Sequence, residues 1–128
     1  MKDALIALEE QMQLYFDGLY HSDTARLRKV FHPDARYVCA TGEETINLGM
    51  DEYLPVVEKR EAPAARREAR RDAIVSITLA GPKTALVHAH CAIADRYFSD
   101  FLSFIKTPDG WRIIAKVFHY DLMPSGGR

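Results

Sequence analysis

The chain has little of what would fix its compartment or chemistry outright. Cysteine occurs only twice, at Cys39 and Cys91. Two are too few for a disulfide framework, so they read as free thiols in a reducing compartment. No apolar run approaches the roughly 18 residues of a membrane span. Glu9 and Glu10 interrupt "MKDALIALEEQM" where a signal peptide needs an unbroken apolar core. Neither sign of charge is in excess, with 17 Lys and Arg against 18 Asp and Glu, so neither nucleic acid nor a membrane surface is expected as partner. Internal repeats and linkers are missing too. What remains is one cytoplasmic domain over 1–122 with a frayed tail at 123–128, large enough to bury a core without staples.

What is present is periodic. Leu5, Leu8, Met12, Tyr15, Phe16 and Leu19 fall on one face of a helix over 3–20. In "HSDTARLRKVF", Ser22 or Asp23 is a candidate N-cap for a second helix that buries Leu27, Val30 and Phe31 and stops at Pro33. Short strands follow at "ARYVCA" and "TINLG", then a third helix from Asp51 to about Arg60, with Pro55 in its first turns. The segment "EKREAPAARREARRD" is dense in both charges and reads as a solvated face. From Ala73 onward the pattern is that of four long strands in an antiparallel meander, punctuated by "AGPK", a tight turn at Asp95–Arg96, and "TPDG". This order predicts an α+β domain: a curved antiparallel sheet wrapped around three amino-terminal helices, with the strand Trp111–Asp121 at or beside its centre. Such a sheet leaves a concave cavity suited to a small molecule.

One residue stands out against the apolar background. In "DGWRIIAKVFHYDL", Lys116 shares its parity with Ile114, Phe118 and Tyr120, while Ile113, Ala115, Val117 and His119 point the other way. Both sets are mainly apolar, so Lys116 either snorkels to a salt bridge at a rim or lines the cavity. A one-residue bulge before it would reverse every later side chain.

"YFDGLYHSDTARLRKVFHPDARYV", the Gly42–Gly49–Asp51 spacing and "DFLSFIKTPDGWRIIAKVFHYDL" together resemble the nuclear transport factor 2-like superfamily, in its SnoaL-like and lumazine-binding branch. The resemblance covers roughly residues 4–122 and implies a cone-shaped fold that hosts enzymes, binding proteins and adaptors alike. Ketosteroid isomerases belong to this superfamily, and their working residues can be carried over one at a time. The oxyanion-hole tyrosine falls on Tyr15, which matches. The general-base aspartate falls on Cys39 and the protonated aspartic acid on Ser103, and both of these depart. With one position of three kept, steroid isomerisation is not expected.

The resemblance also directs Phe101 and Ser103, and with them Lys116, Phe118 and Tyr120, into the cavity. A turn at Asp95–Arg96 opposes His90 to Phe101 and His88 to Ser103, so all four share a face. The expected site therefore has Tyr15, His88 and His90 as candidate catalytic groups. Cys39, Phe101, Ser103, Lys116, Phe118 and Tyr120 are candidate ligand contacts. His88 and His90 would need a third ligand to hold a metal, and none is evident, so neither metal nor cofactor is expected. His32 and His119 read as structural. The uniformly apolar opposite set, including Ala89, Cys91, Leu102 and Phe104, is expected on the outer sheet face, where a homodimer would cover it.

Three functions follow. The first is a small-molecule-binding domain for a flat ligand bearing a carbonyl or anionic group near Lys116. The second is a dehydratase, cyclase or isomerase with a histidine base and a tyrosine donor. The third is a structural or adaptor dimer with a filled cavity. Cavity volume and histidine placement discriminate among them.

Overall fold

In the computed structural model, which describes residues 2–123, the amino-terminal periodicity folds as α1, Lys2–Tyr20. It buries Leu8, Met12, Tyr15, Phe16 and Leu19 along one face. Asp23 caps α2, Thr24–Arg28, by accepting the Arg26 amide. Gly18 is what lets the two helices touch. A Cβ there would stand 2.6 Å from Leu27 Cδ2, and Leu27 is fully buried.

The second helix is shorter than its apolar pattern predicts. Val30 and Phe31 are buried, but as the lead into β1, Phe31–Cys39, and Pro33 lies inside that strand. Proline is tolerated there because the pairing is irregular between Phe31 and Arg36. The chain then forms β2, Ile46–Gly49, and α3, Met50–Lys59, where the Glu52 carboxylate accepts the Gly49 amide. Next come β3, Ala73–Leu79; β4, Thr84–Ile93; β5, Arg96–Thr107; and β6, Gly110–Leu122. Of the expected tail, Met123 is bonded through its amide to the Asp95 carbonyl, and 124–128 lie outside the described residues.

The six strands make one curved, unclosed sheet in the order β2-β1-β6-β5-β4-β3, which places β6 in its interior. Every pairing is antiparallel except β1 with β6, which is parallel. The helices cover one face. The charged segment expected to be merely solvated is a loop that is pinned at both ends. Ala64 donates to the Tyr20 carbonyl, Arg70 pairs with Asp17 and Asp72, and Glu68 accepts the Ala94 amide.

Two details decide which side chains face the helices. Between β5 and β6 the register jumps from Ser103–Ala115 to Phe104–Ile113, so Ile114 is an extra residue. Trp111 and Ile113 therefore face the core on odd numbers, while Lys116 and Phe118 face it on even ones. The expected outward place of Ile113 is corrected by this bulge, and Lys116 keeps its inward one. The β4–β5 turn sits one residue earlier than its sequence suggests, at Ala94–Asp95, closed by Ile93 opposite Arg96. Ala94 takes a left-handed φ of 56° without the glycine or asparagine that normally marks such a turn.

Candidate functional site

Lys116 on β6 opposes Leu102 on β5, and Phe118 opposes Asp100. Directly opposed residues share a face, so Asp100 enters the covered side with Lys116. Both are buried, Asp100 completely and Lys116 to 4% exposure. Across from them α1 delivers Tyr15, also fully buried. Its hydroxyl donates to Asp100 Oδ2 at 2.5 Å. Lys116 Nζ lies 3.9 Å from the same oxygen, outside hydrogen-bond length, so that pairing is coulombic. The Cys91 thiol approaches it at 4.0 Å.

Aromatic rings enclose the ammonium. Nζ lies 5.1–5.3 Å from the ring centres of Phe118, Tyr15 and Tyr37, and 5.9–6.0 Å from those of Tyr53 and Phe98. Tyr37 from β1 stacks on Tyr53 from α3 at 4.1 Å. This surrounding is apolar enough to shift the protons of Tyr15, Tyr37, Cys91 and Lys116. Burial, and then the Asp100 charge, raise the Tyr15 hydroxyl well above its ordinary value. The same two causes push the Cys91 thiol up to about 12. Burial raises Tyr37 against the opposing pull of Lys116. Burial works against the Lys116 ammonium, but the Asp100 carboxylate outweighs it and holds the lysine above its usual range. At neutral pH the Lys116 ammonium is thus charged, while the Tyr15 and Tyr37 hydroxyls and the Cys91 thiol keep their protons.

Several polar atoms remain unsatisfied. Asp100 Oδ1 is buried without a hydrogen-bond partner, and so are Nε and Nη2 of Arg60, at the carboxyl end of α3. A small opening lies beside Cys91. An opening lined by Phe16, Leu19, Tyr20, Cys91 and Ile93 has a volume of about 10 Å³, enough for one water.

The sequence-predicted residues divide between the two faces. Tyr15, Lys116 and Phe118 come together. Cys39 opposes Phe118 on β1 and is buried on the same side, and Tyr120 opposes Phe98 there, half-buried. His88, His90, Phe101 and Ser103 do share one face, as expected, but it is the open one. His88 opposes Phe101 and its Nε2 pairs with Ser99 Oγ at 2.8 Å, while Phe101 is 52% exposed. The expectation that these four line the interior is corrected. The physical reason is hydrophobic sorting: Val87, Ala89, Cys91, Leu102 and Phe104 are the more uniformly apolar set, and they are the ones the helices cover. The same fact corrects the expected dimer surface, because Ala89, Cys91, Leu102 and Phe104 belong to this chain's own core.

Neither histidine can therefore work with the Tyr15 hydroxyl. Among the described residues no third His, Cys, Asp or Glu joins them in a metal-binding group. The acid beside Tyr15 is Asp100, not the residue at Ser103. Asp100 was legible as the parity mate of Phe98, Leu102 and Phe104 in "FSDFLSF". Arg60 was hidden in a charge-rich run.

Comparison with known proteins agrees with this architecture. The profile of the family described as "Putative lumazine-binding" matches residues 3–119. An NTF-2-like protein of Silicibacter pomeroyi superposes with a TM-score of 0.84 at 24% identity, covering 94% of this chain and 98% of that one. An NTF2-like protein of Shewanella baltica gives 0.81 at 19%, over 91% and 93%. A ketosteroid isomerase-like protein of Erwinia carotovora atroseptica gives 0.71 at 12%, over 94% and 98%. No curated protein matches, and no described helix is long and apolar enough to cross a membrane. The chain belongs to the "Putative lumazine-binding" family and, with it, to the nuclear transport factor 2-like superfamily.

Proposed function

We propose that this protein is a small-molecule-binding domain that takes a flat, partly apolar ligand with a carbonyl or anionic group directed at Lys116. The observation that carries the reading is the lysine itself. It is a buried ammonium with three N–H donors, ringed by aromatic faces, whose carboxylate partner stands beyond hydrogen-bond length. A carbonyl oxygen among those rings would supply the acceptor, and the rings would stack on a flat body. The family's description makes lumazine, a flat heterocycle with two carbonyls, the natural first probe.

The small volume beside the cluster favours one competing reading, a filled-cavity structural domain. Fluorescence titration with lumazine separates the two. Because Lys116→Met alone would strand the Asp100 carboxylate, the variant is the pair Asp100→Asn with Lys116→Met, which keeps an acceptor for Tyr15. Saturable binding by the wild type and its loss in the folded pair support the binding domain. Equal saturable binding by both proteins would place the ligand away from Lys116, and no binding by either leaves the filled domain.

The same reading includes self-association through the open face. Leu86, Phe101 and Val117 are 41%, 52% and 48% exposed. They form a strip with His88, Ser103 and Ala115 across β4, β5 and β6 that carries no Asp, Glu, Lys or Arg. Two copies meeting on it by a two-fold axis would face no like charge at the centre. Light scattering at tens of micromolar tests this, with Phe101→Glu as the variant expected to return a monomer mass.

A further inference from the structure

A second space lies at the amino-terminal half of α1. There a groove of about 280 Å³ opens between that helix and the closing end of the β5–β6 hairpin. Its lining shares no residue with the Lys116 cluster or with the opening beside Cys91. On the helix side, Ala4 and Ala7 offer it only methyl groups, so no large side chain fills it.

One oxygen joins the two walls. The Trp111 carbonyl accepts Nε2 of Gln11 at 2.7 Å and Nη1 of Arg112 at 2.9 Å. Gln11 Nε2 also donates to the Lys29 carbonyl at 3.0 Å. With its amide N–H bonds used, Gln11 keeps Oε1 as an acceptor that has no partner among the described residues. Gly110, at a φ of 110°, makes room for the guanidinium, since a Cβ there would stand 3.3 Å from Nη1. The remaining N–H bonds of Arg112 are without partners among the described residues. An acceptor and a cationic donor, both unspent, therefore stand side by side.

The charges around them are unspent too. Asp3, Glu10, Lys106, Asp109 and Arg112 line the groove, and none joins an ion pair among the described residues. Both signs are present, so a simple anion or a simple cation leaves part of the lining unmatched. A zwitterion matches both. The closeness of Gln11 to Arg112 sets its form, because an α-amino acid carries ammonium and carboxylate on a single carbon.

We infer that the groove between α1 and the β5–β6 hairpin end is a binding site for an apolar α-amino acid. Arg112 takes the carboxylate, Gln11 Oε1 and the neighbouring Glu10 take the ammonium, and the side chain lies over Ala4 and Ala7. The inference is independent of the reading at Lys116.

Trp111 is the chain's only tryptophan and lines the groove, so its emission reports directly on occupancy. The full chain is titrated with L-leucine and L-phenylalanine, with their N-acetyl derivatives and with their amides, by Trp111 fluorescence and calorimetry. At least one free amino acid is expected to bind about tenfold or more tightly than both of its blocked forms, since each block removes a charge-assisted hydrogen bond. Arg112→Gln is expected to erase the preference for the acid over the amide. Ala7→Leu, which suits a helix and fills the groove, is expected to abolish binding without lowering the melting temperature. The folded pair Asp100→Asn with Lys116→Met is expected to bind the amino acid as the wild type does. Blocked forms that bind as tightly as the free acids, or unchanged binding in Ala7→Leu, overturn the inference. Loss of binding in the Asp100 and Lys116 pair overturns it by placing the ligand at Lys116. Tighter binding of 5-aminopentanoate than of either amino acid overturns the α-amino-acid assignment in favour of a longer zwitterion. Absence of binding by all the amino-acid probes overturns the site, whereas absence of lumazine binding bears only on the reading at Lys116.

Discussion

The two faces of the β4–β5 hairpin are built from alternate residues of the same twenty-odd positions, yet they behave as different materials. On the covered face, Asp100 sits among Leu102, Phe104 and Ala89, and its oxygen organises a tyrosine, a lysine and a thiol. On the open face, His88, His90, Ser99 and Phe101 pair locally with one another and remain half-wet. The open face holds more of the residue types that chemistry favours. The covered face holds fewer, but burial raises the Cys91 thiol there and the Tyr15 hydroxyl packed against it, and it is burial that gives a polar group leverage. Richness in histidine is thus a poorer guide to a site than one carboxylate placed in the wrong solvent.

The sharpest way to break this contrast is to remove that carboxylate. Asp100→Leu would leave the Lys116 ammonium buried without its anion and the Tyr15 hydroxyl without an acceptor. The expected loss of stability is about 3–5 kcal/mol, read by urea denaturation. Adding Lys116→Met and Tyr15→Phe to the same chain is expected to restore most of it, because the whole polar cluster is then replaced by apolar volume. A single variant as stable as the wild type would mean that the cluster is not paired as described.

How far the sequence reached is itself explained by the two faces. Period-3.6 and period-2 patterns report burial, and they gave α1, α3 and the four long strands to within a few residues. They cannot tell parallel from antiparallel pairing, so the β1–β6 contact was invisible. They also blur where an apolar run changes period, which is why Val30 and Phe31 read as helix. Lys116 was legible because it is an exception within a strong pattern, and Tyr15 because the oxyanion-hole tyrosine of the resemblance falls on it. Asp100 is the same kind of exception, but counting along the resemblance fell three residues away on Ser103. Parity within the hairpin survived a turn misplaced by one residue, since the pairing shifted by two. Only burial could say which parity was inside.

Neighbours on one strand sharpen the comparison further. Leu102 is fully buried and Phe101 is 52% exposed. Leu102→Ala is expected to cost about 2–5 kcal/mol, as a core cavity does. Phe101→Ala should cost under about 1 kcal/mol in the monomer despite deleting a larger side chain. Comparable losses in a dilute, monomeric sample would show that the open face is not open.

Proton linkage supplies a test of the covered face without mutation. Tyr15, Tyr37, Cys91 and Lys116 all bind their protons more tightly folded than unfolded. Stability from such groups is complete below their unfolded values and is lost as pH climbs toward the folded ones. The lowest ordinary value is the 9.0 of Cys91, which the fold moves to about 12. The melting temperature is therefore expected to fall progressively between pH 9 and 12, and Cys91→Ala should delay the onset. A profile that leaves Cys91→Ala and wild type superimposed across that range would remove the thiol from the cluster.

The smallest effect is expected where the sequence pointed most strongly to catalysis. His88→Ala removes one half-buried hydrogen bond to Ser99 and ring contacts of 4.8 Å to Phe101 and 5.1 Å to His90. His90→Ala removes a ring contact to Tyr97 at 5.3 Å. A neutral hydrogen bond within reach of water is worth about 0.5–1.5 kcal/mol, and its lost partner here, a serine hydroxyl, can turn to solvent. Each change should therefore cost under about 1 kcal/mol. Neither should alter the affinity for lumazine, because the sheet itself stands between these rings and Tyr15. Loss of ligand binding in His88→Ala, with the fold intact by circular dichroism, would place the site on the open face. It would also return the histidine-based enzyme to first place.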